Sequence, residues 1–183
     1  MGAKPNAGHL ALVELERSGV PMRVLTQNVD GLHQAAGLTA RKVIELHGTA
    51  AEVQCVRCRV TGPMAAALER VEAGEADPAC EQCGGVLRPR TVMFGEALDE
   101  RVLEQADAIA KACQVFLAVG SSLQVHPAAL LPRIALEHDA KLIVVNGEPT
   151  PWDWAAHEVV REPISQALPK LVERLVNGDL ARG

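Results

Sequence analysis

Four of the five cysteines form two pairs of the type Cys-x-x-Cys, Cys55–Cys58 and Cys80–Cys83, with 21 residues between the pairs. Thiolates at that spacing turn their sulfurs toward one point, and two such knuckles complete a tetrahedral four-sulfur shell for a zinc ion. Gly84-Gly85, directly after the second pair, supplies the backbone freedom a knuckle needs. A disulfide framework is the weaker reading, because the sequence shows no secretory signal and is not a small cysteine-dense chain. With all four positions taken by sulfur, no coordination site is open to water. The expected zinc is therefore structural, and the reaction chemistry must be sought in other residues.

Those residues occur in short polar strings, each following an apolar run. Gln27, Asn28 and Asp30 follow Val24-Leu25-Thr26, and His47 follows Val43-Ile44-Glu45-Leu46. Gly120-Ser121-Ser122 follows Val115–Val119, and Asn146-Gly147-Glu148 follows Leu142–Val145. Histidine is the residue type suited to proton transfer at neutral pH, and His47 could serve as a general base. A lone histidine ending a strand is more often a hydrogen-bonded structural residue, and His9, His33, His126, His138 and His157 are read that way. Asn28 and Asp30 could orient a carboxamide or a water. Gly120-Ser121-Ser122 could let backbone approach an anion, with hydroxyls and the N-terminus of a following helix as donors; the same string is also an ordinary turn. Glu148 beside Asn146 is placed to accept hydrogen bonds from ribose hydroxyls, although Asn146-Gly147 is a turn signal as well. No G-x-G-x-x-G occurs. Cys113 reads as a small buried hydrophobe, and Trp152 and Trp154 as packing residues.

The elements that must hold these strings follow from periodicity. Asn6 to Ser18 predicts an amphipathic helix with Leu12 and Leu15 on one face and Gly19 as its stop. Val24–Thr26, Val43–Leu46, Val115–Val119 and Leu142–Val145 predict buried strands. Met64–Ala73, Asp99–Cys113 and Pro127–His138 predict helices, and a last amphipathic helix runs to about Val176 with Pro169 expected in its first turn. Helices alternating with continuous apolar runs predict an α/β fold, a doubly wound parallel, Rossmann-like sheet. In such sheets ligands bind beyond the carboxyl ends of the strands, where the polar strings lie. Residues 50–89 break the rhythm and are expected to form a zinc-binding module inserted in a nucleotide-binding domain made of residues 1–49 and 90–183.

Bulk composition narrows the function further. Hydrophobic residues make up 48% and charged residues 22%, enough for a sizeable core and against global disorder. A formal charge of −5 with no Lys/Arg-rich run argues against a direct nucleic-acid partner. No apolar stretch approaches the roughly 20 residues of a membrane span. Neither a signal peptide nor a transit segment is visible at the start, so a cytoplasmic, reducing setting is expected.

Taken together, several ordered strings resemble the sirtuin family of NAD-dependent protein deacylases. They are Lys4-Pro5-Asn6 with His9, Thr26-Gln27-Asn28-Val29-Asp30-Gly31-Leu32-His33, Glu45-Leu46-His47-Gly48-Thr49, the paired knuckles, Val92-Met93-Phe94-Gly95-Glu96, Gly120-Ser121-Ser122-Leu123-Gln124-Val125, and Val145-Asn146-Gly147-Glu148-Pro149-Thr150. The resemblance implies that His47 is the catalytic histidine taking a proton from the NAD ribose, with Gln27 and the catalytic-site Asn28 beside the nicotinamide ribose. It implies that Val29 and Asp30 hold the carboxamide, that Gly120, Ser121 and Ser122 line the NAD phosphates and ribose, and that Asn146 and Glu148 contact the adenosine ribose. Val92, Phe94, Gly95, Glu96 and Val125 match positions that clamp an acyl-lysine peptide as an added strand. The implied reaction transfers the acyl group of a protein lysine onto NAD-derived ribose, giving nicotinamide, O-acyl-ADP-ribose and free lysine. NAD is then a co-substrate, and one zinc ion is structural.

Chains of that family normally start several tens of residues earlier, with a first strand and a glycine-rich NAD loop. The present sequence is expected to lack both, which makes the predicted sheet N-terminally truncated and the nucleotide domain incomplete, with weak NAD affinity and poor solubility. The alternative function is then a catalytically impaired fragment acting at most as a zinc-stabilised peptide-binding module.

Overall fold

A computed structural model describes residues 2–180, which divide into two compact units. One unit comprises the chain up to Leu25, Leu32–Ile44 and the chain from Asp99 on; the other comprises Thr26–Gly31 and Glu45–Leu98. In chain order the elements are α1 (Ala7–Arg17), β1 (Val24–Thr26), α2 (Leu32–Ala35), β2 (Val43–Glu45), β3 (Gly48–Cys55), β4 (Thr61–Pro63), α3 (Met64–Glu72), β5 (Leu87–Thr91), α4 (Glu100–Ala112), β6 (Val115–Val119), α5 (Leu131–Leu136), β7 (Lys141–Val145), β8 (Glu158–Val160) and α6 (Ile164–Val176). No helix among the described residues is long and apolar enough to cross a membrane.

The first unit is built on a parallel sheet of order β6-β7-β8, in register from Val115↔Lys141 to Val119↔Val145 and from Ile143↔Glu158 to Val145↔Val160. The central strand β7 carries Leu142-Ile143-Val144-Val145, all buried, as expected for a strand covered on both faces. Successive side chains go to opposite faces. Ile143 and Val145 pack with Ala167 and Leu171 of α6, while Leu142 and Val144 pack with Ala118 and Leu123, with Leu136 of α5 and Trp152 alongside. Helix α1 joins α6 through Ala11, Leu15, Leu168 and Val172. Its N-terminus is capped by Asn6, whose Oδ1 accepts the Gly8 and His9 N–H groups, while His9 Nδ1 accepts the Asn6 N–H at 3.3 Å. That reciprocal pair satisfies donors a helix leaves open at its start.

Several expectations are corrected here. Pro169 is the sixth residue of α6, not in its first turn. Burial of Ala167, Leu168, Leu171 and Val172 outweighs the one backbone hydrogen bond the proline forgoes. The helix expected over 127–138 is a 3-10 turn at Ala128–Leu130 followed by the short α5, whose early Pro132 suits its first turn. Trp154 is 84% exposed rather than packed in the interior, whereas Trp152 is partly buried and donates from Nε1 to the Ala129 carbonyl at 3.2 Å. Cys113 is only partly buried; its thiol donates to the Ala110 carbonyl, and desolvation holds its pKa above the ordinary thiol value.

The second unit is an antiparallel sheet of order β4-β3-β5 with α3 attached. Glu52 to Gln54 pair with Pro63 to Thr61, and Val53 to Cys55 pair with Pro89 to Leu87. Between Thr49 and Val53 the register with β5 shifts, a bulge that bends β3. The buried apolar side chains of this unit are few, namely Leu46, Val53, Cys55, Cys80 and Leu98. A core of that size does not sustain a fold unaided, which is the circumstance in which small modules rely on a metal or a disulfide.

Candidate functional site

The four cysteine sulfurs meet at one place. Cys55, Cys58, Cys80 and Cys83 bring their Sγ atoms within 4.8 Å of one another, with Cys55···Cys83 at 3.5 Å and Cys58···Cys80 at 3.7 Å. A tetrahedral zinc–thiolate shell with bonds of about 2.3 Å requires sulfurs roughly 3.8 Å apart, so the donor set fits zinc. The two knuckles repeat one design. In each, the residue after the second cysteine is left-handed, Arg59 at φ 63° and Gly84 at φ 69°. In each, that residue's N–H bonds the first cysteine's carbonyl, at 3.0 Å to Cys55 and 2.7 Å to Cys80. Each first cysteine in turn donates its N–H two residues past the second, to Val60 at 2.9 Å and Gly85 at 2.8 Å.

Gly85 is irreplaceable for a steric reason. A Cβ there would lie 2.8 Å from the Cys55 sulfur and 3.3 Å from that of Cys83. The backbone N–H groups of Cys58 and then Arg57 pull the Cys55 thiol down to about 6. Cys58 is pushed up to about 12: the Val60 N–H lowers it, but desolvation and the neighbouring Cys83, Cys55 and Cys80 thiols prevail. Four thiols this close can all ionise only beside a cation, which is what zinc supplies.

The same unit holds His47 in the turn between β2 and β3. Its carbonyl accepts the Val92 N–H at 2.9 Å, tying it to the end of β5. The next residue, Gly48, sits at φ 76°, where a Cβ would lie 2.2 Å from the Arg90 carbonyl oxygen. Only glycine permits that approach, so β5 fixes the histidine backbone from both sides. The His47 Nδ1 atom is buried and has no hydrogen-bond partner among the described residues. A buried ring nitrogen without a partner calls for an explanation.

Around it, Leu46 N–H donates to the Thr26 carbonyl and Ala50 N–H to the Val29 carbonyl, both at 2.9 Å. These bonds hold the Gln27-Asn28-Val29-Asp30 segment against the turn bearing His47. Asn28 and Asp30 are exposed, and Gln27 and Val29 are half-buried. Beyond β5, Met93-Phe94-Gly95-Glu96 forms a tight turn with Gly95 at φ 87° and a fully exposed Phe94 ring. Glu96 spends its carboxylate internally, on Arg88 at 2.6 and 3.2 Å and on the Met93 N–H at 3.0 Å. Arg88 first, then the Met93 N–H, keep the Glu96 carboxyl below its ordinary pKa. Val92 is half-buried at the start of this turn.

In the other unit, Gly120 ends β6 at φ 61° and donates its N–H to the Val145 carbonyl at 2.8 Å. Ser121 Oγ accepts the Leu123 N–H at 3.2 Å, and Ser122 is exposed. The helix N-terminus expected to assist Gly120, Ser121 and Ser122 is absent. A loop with left-handed Leu123 runs on to Pro127, and the first 3-10 turn starts at Ala128. Any anion held there would meet loop amides and hydroxyls rather than a helix dipole. Val125 is exposed in the same loop. After β7, Asn146 donates from Nδ2 to the Glu148 carbonyl at 2.8 Å, leaving the Glu148 side chain exposed.

Comparison with known proteins decides the family. The model of the Sir2 family matches residues 1–127. The chain belongs to the Sir2 family. A relative from Streptomyces coelicolor, NAD-dependent protein deacetylase 2, is 65% identical over 173 residues, 94% of this chain and 72% of that protein. An Archaeoglobus fulgidus relative, NAD-dependent protein deacylase 2, is 44% identical over 174 residues, 94% of this chain and 68% of its own length. Among solved structures, a Sir2 bound to acetylated peptide superposes with TM-score 0.85 at 35% identity, covering 97% of this chain and 72% of that one. A Sir2 complex with a p53 peptide and NAD+ gives TM-score 0.84 at 36% identity, covering 98% and 72%.

This Sir2-family chain therefore has the family's Rossmann-like α/β fold with a four-cysteine zinc-binding insert. Sequence reasoning missed the parts that hold the site rather than form it. Gly48 was visible beside His47 but not its close approach to β5. Arg88 and Arg161 reach partners eight or more residues away, across gaps that no local pattern reveals.

Proposed function

We propose that this chain removes acyl groups, acetyl foremost, from lysine side chains of proteins at the expense of NAD, giving nicotinamide and O-acyl-ADP-ribose. The observation that carries this is the 65% identity over nearly the whole chain to a protein named an NAD-dependent protein deacetylase. The local geometry of His47 supports it. Because Nδ1 is sealed from solvent, Nε2 is the atom through which the ring exchanges a proton, and a neutral imidazole there is a suitable base for a ribose hydroxyl.

In this reading Asn28 and Gln27 flank the nicotinamide ribose, and Val29 and Asp30 bind the carboxamide. Gly120, Ser121 and Ser122 serve the phosphates and ribose, and Asn146 and Glu148 the adenosine ribose. Val92, Phe94, Gly95 and Val125 receive the acyl-lysine segment through main-chain pairing and an apolar rim, while Glu96 shapes the turn that does so. Residues 1–49 and 90–183 carry the NAD chemistry, and residues 50–89 carry the zinc, which touches no reacting atom. Zinc thiolates persist in a reducing compartment, which favours the cytoplasm.

The test is nicotinamide release from NAD plus an acetyl-lysine peptide, for the wild type and His47→Ala. We expect a loss of about 10²–10⁴-fold with His47→Ala at unchanged zinc content. Equal rates in the two proteins would sink the assignment.

A further inference from the structure

The loop after β7, residues 146–153, contains Asn146 and Glu148 and has no sheet bonding of its own apart from the Asn146 N–H, which reaches the Val160 carbonyl at 3.1 Å. Its shape is instead set by one network. Arg161, the residue after β8, donates from Nη1 to the Asn146 carbonyl at 2.8 Å and from Nη2 to Asp153 Oδ2. Asp153 accepts the Thr150 hydroxyl on Oδ1 at 2.7 Å and the Thr150 N–H on Oδ2 at 3.1 Å. Thr150, only 9% exposed, also accepts the Trp152 N–H on its hydroxyl at 3.3 Å. One guanidinium thus grips both ends of the loop, a task that needs its two-pronged planar geometry. Thr150, and then Arg161, hold the Asp153 carboxyl below the usual carboxylate range, which keeps it charged throughout the neutral range.

Glu148 lies at the middle of the gripped segment with its side chain exposed. A flexible loop must be ordered when it meets a ligand, and that cost comes off the affinity; a loop already ordered avoids it. Resting on the proposed reading that Asn146 and Glu148 meet the adenosine ribose of NAD, we propose that Arg161 and Asp153 are positioning residues that preset this loop for the nucleotide. They touch neither the acyl-lysine nor the reacting carbon. Their effect falls on NAD affinity and not on the chemical step.

The experiment uses the full chain and four variants, Arg161→Leu, Arg161→Lys, Asp153→Asn and Glu148→Gln. Two readouts are taken, amide exchange without NAD and the dissociation constant of NAD by calorimetry. In Arg161→Leu and Asp153→Asn, exchange at Thr150 and Trp152 should rise about tenfold or more, while β7 amides stay protected. NAD binding should weaken about tenfold in both, with kcat and the peptide KM at saturating NAD unchanged. Arg161→Lys, able to reach one partner but not both, should recover part of the loss. The double variant Arg161→Leu/Asp153→Asn should be no weaker than either single, since both break one network.

Unchanged exchange in the NAD-free loop would overturn the inference, as would a loosened loop with undiminished NAD affinity while Glu148→Gln binds poorly. If Glu148→Gln also binds NAD normally, the assignment of this loop to the nucleotide falls, and the inference with it. Should Arg161→Leu fail to fold, Arg161→Lys and Asp153→Asn decide the matter on the same two readouts.

Discussion

The two compact units are held together in opposite ways. Around β7, stability is spread over many interlocking apolar side chains, with Leu142, Ile143, Val144 and Val145 all at 2% exposure or less. Around β3, few apolar side chains are buried and four sulfurs converge on one point. The first arrangement loses a little with each lost contact; the second is all or nothing. The difference teaches where each tolerates change. A distributed core absorbs substitutions at a graded cost, whereas a unit built on one ion has a few positions that cannot change at all.

The sharpest way to break that comparison is Cys80→Ser. Structural zinc contributes about 10–16 kcal/mol in small metal-folded modules. The variant should lose its zinc and become protease-sensitive across residues 45–98, while amide protection in β7 persists. Protease mapping with zinc analysis checks this, and simultaneous loss of β7 protection would show that the two units stand or fall together. Next in size is Leu142→Ala, at a side chain with 0% exposure. It should cost roughly 2–5 kcal/mol in denaturant unfolding of the β7 unit and leave zinc content intact.

Gly48→Ala follows. Forcing a Cβ to 2.2 Å from the Arg90 carbonyl at a left-handed φ should cost roughly 1–3 kcal/mol. The larger consequence is functional, because the strain is relieved by moving His47. Nicotinamide release should fall by more than about tenfold with zinc retained. The smallest effect concerns pH. The fork of Arg174 on Glu158, at 2.8 and 2.9 Å, holds that carboxyl below its ordinary value. A depressed folded pKa stabilises fully above the unfolded value near 4.3, and that contribution is lost as pH falls through the lower folded value. Both groups are partly exposed, so it amounts to less than about 1 kcal/mol. Glu158→Gln should lower the stability of the β7 unit by that small amount at pH 8, where the pair contributes fully, and make no difference in strong acid, so that the acid limb below about pH 4.3 is flatter, as thermal melts across that range would reveal.

Legibility in the sequence followed the same divide. Short apolar runs located β1 and β6 residue for residue and β7 to within one, because a buried parallel strand is written as a continuous apolar string. Asp99 announced α4, and it caps that helix by accepting the Arg101 and Val102 N–H groups. The cysteine spacing announced the sulfur cluster. What stayed hidden was the zinc unit's sheet. Strand β3 reads Gly-Thr-Ala-Ala-Glu-Val-Gln-Cys, with little β-propensity, and β4 and β5 each contain a proline. Their pairing is imposed by the knuckles, not by local preference. Strand β8 escaped notice because three half-exposed residues make no pattern until β7 is beside them. The candidate residues stand out in the sequence as short polar strings, whereas the residues that brace those strings, Gly48, Arg88 and Arg161, do not, since each acts on a neighbour distant in sequence.

One consequence of β3 concerns length rather than composition. The strand is a ruler of eight residues, with His47 just before its zero and Cys55, the first of the four clustered cysteines, at its far mark. Eight residues of fully extended chain span at most about 26 Å, the bulge between Thr49 and Val53 shortens that here, and along the regular stretches each step turns the side chain over. Inserting or deleting a single residue between Gly48 and Gln54 would not merely shorten the gap between histidine and metal. It would put one of the two on the wrong face, so this segment should tolerate spelling changes far better than changes in letter count.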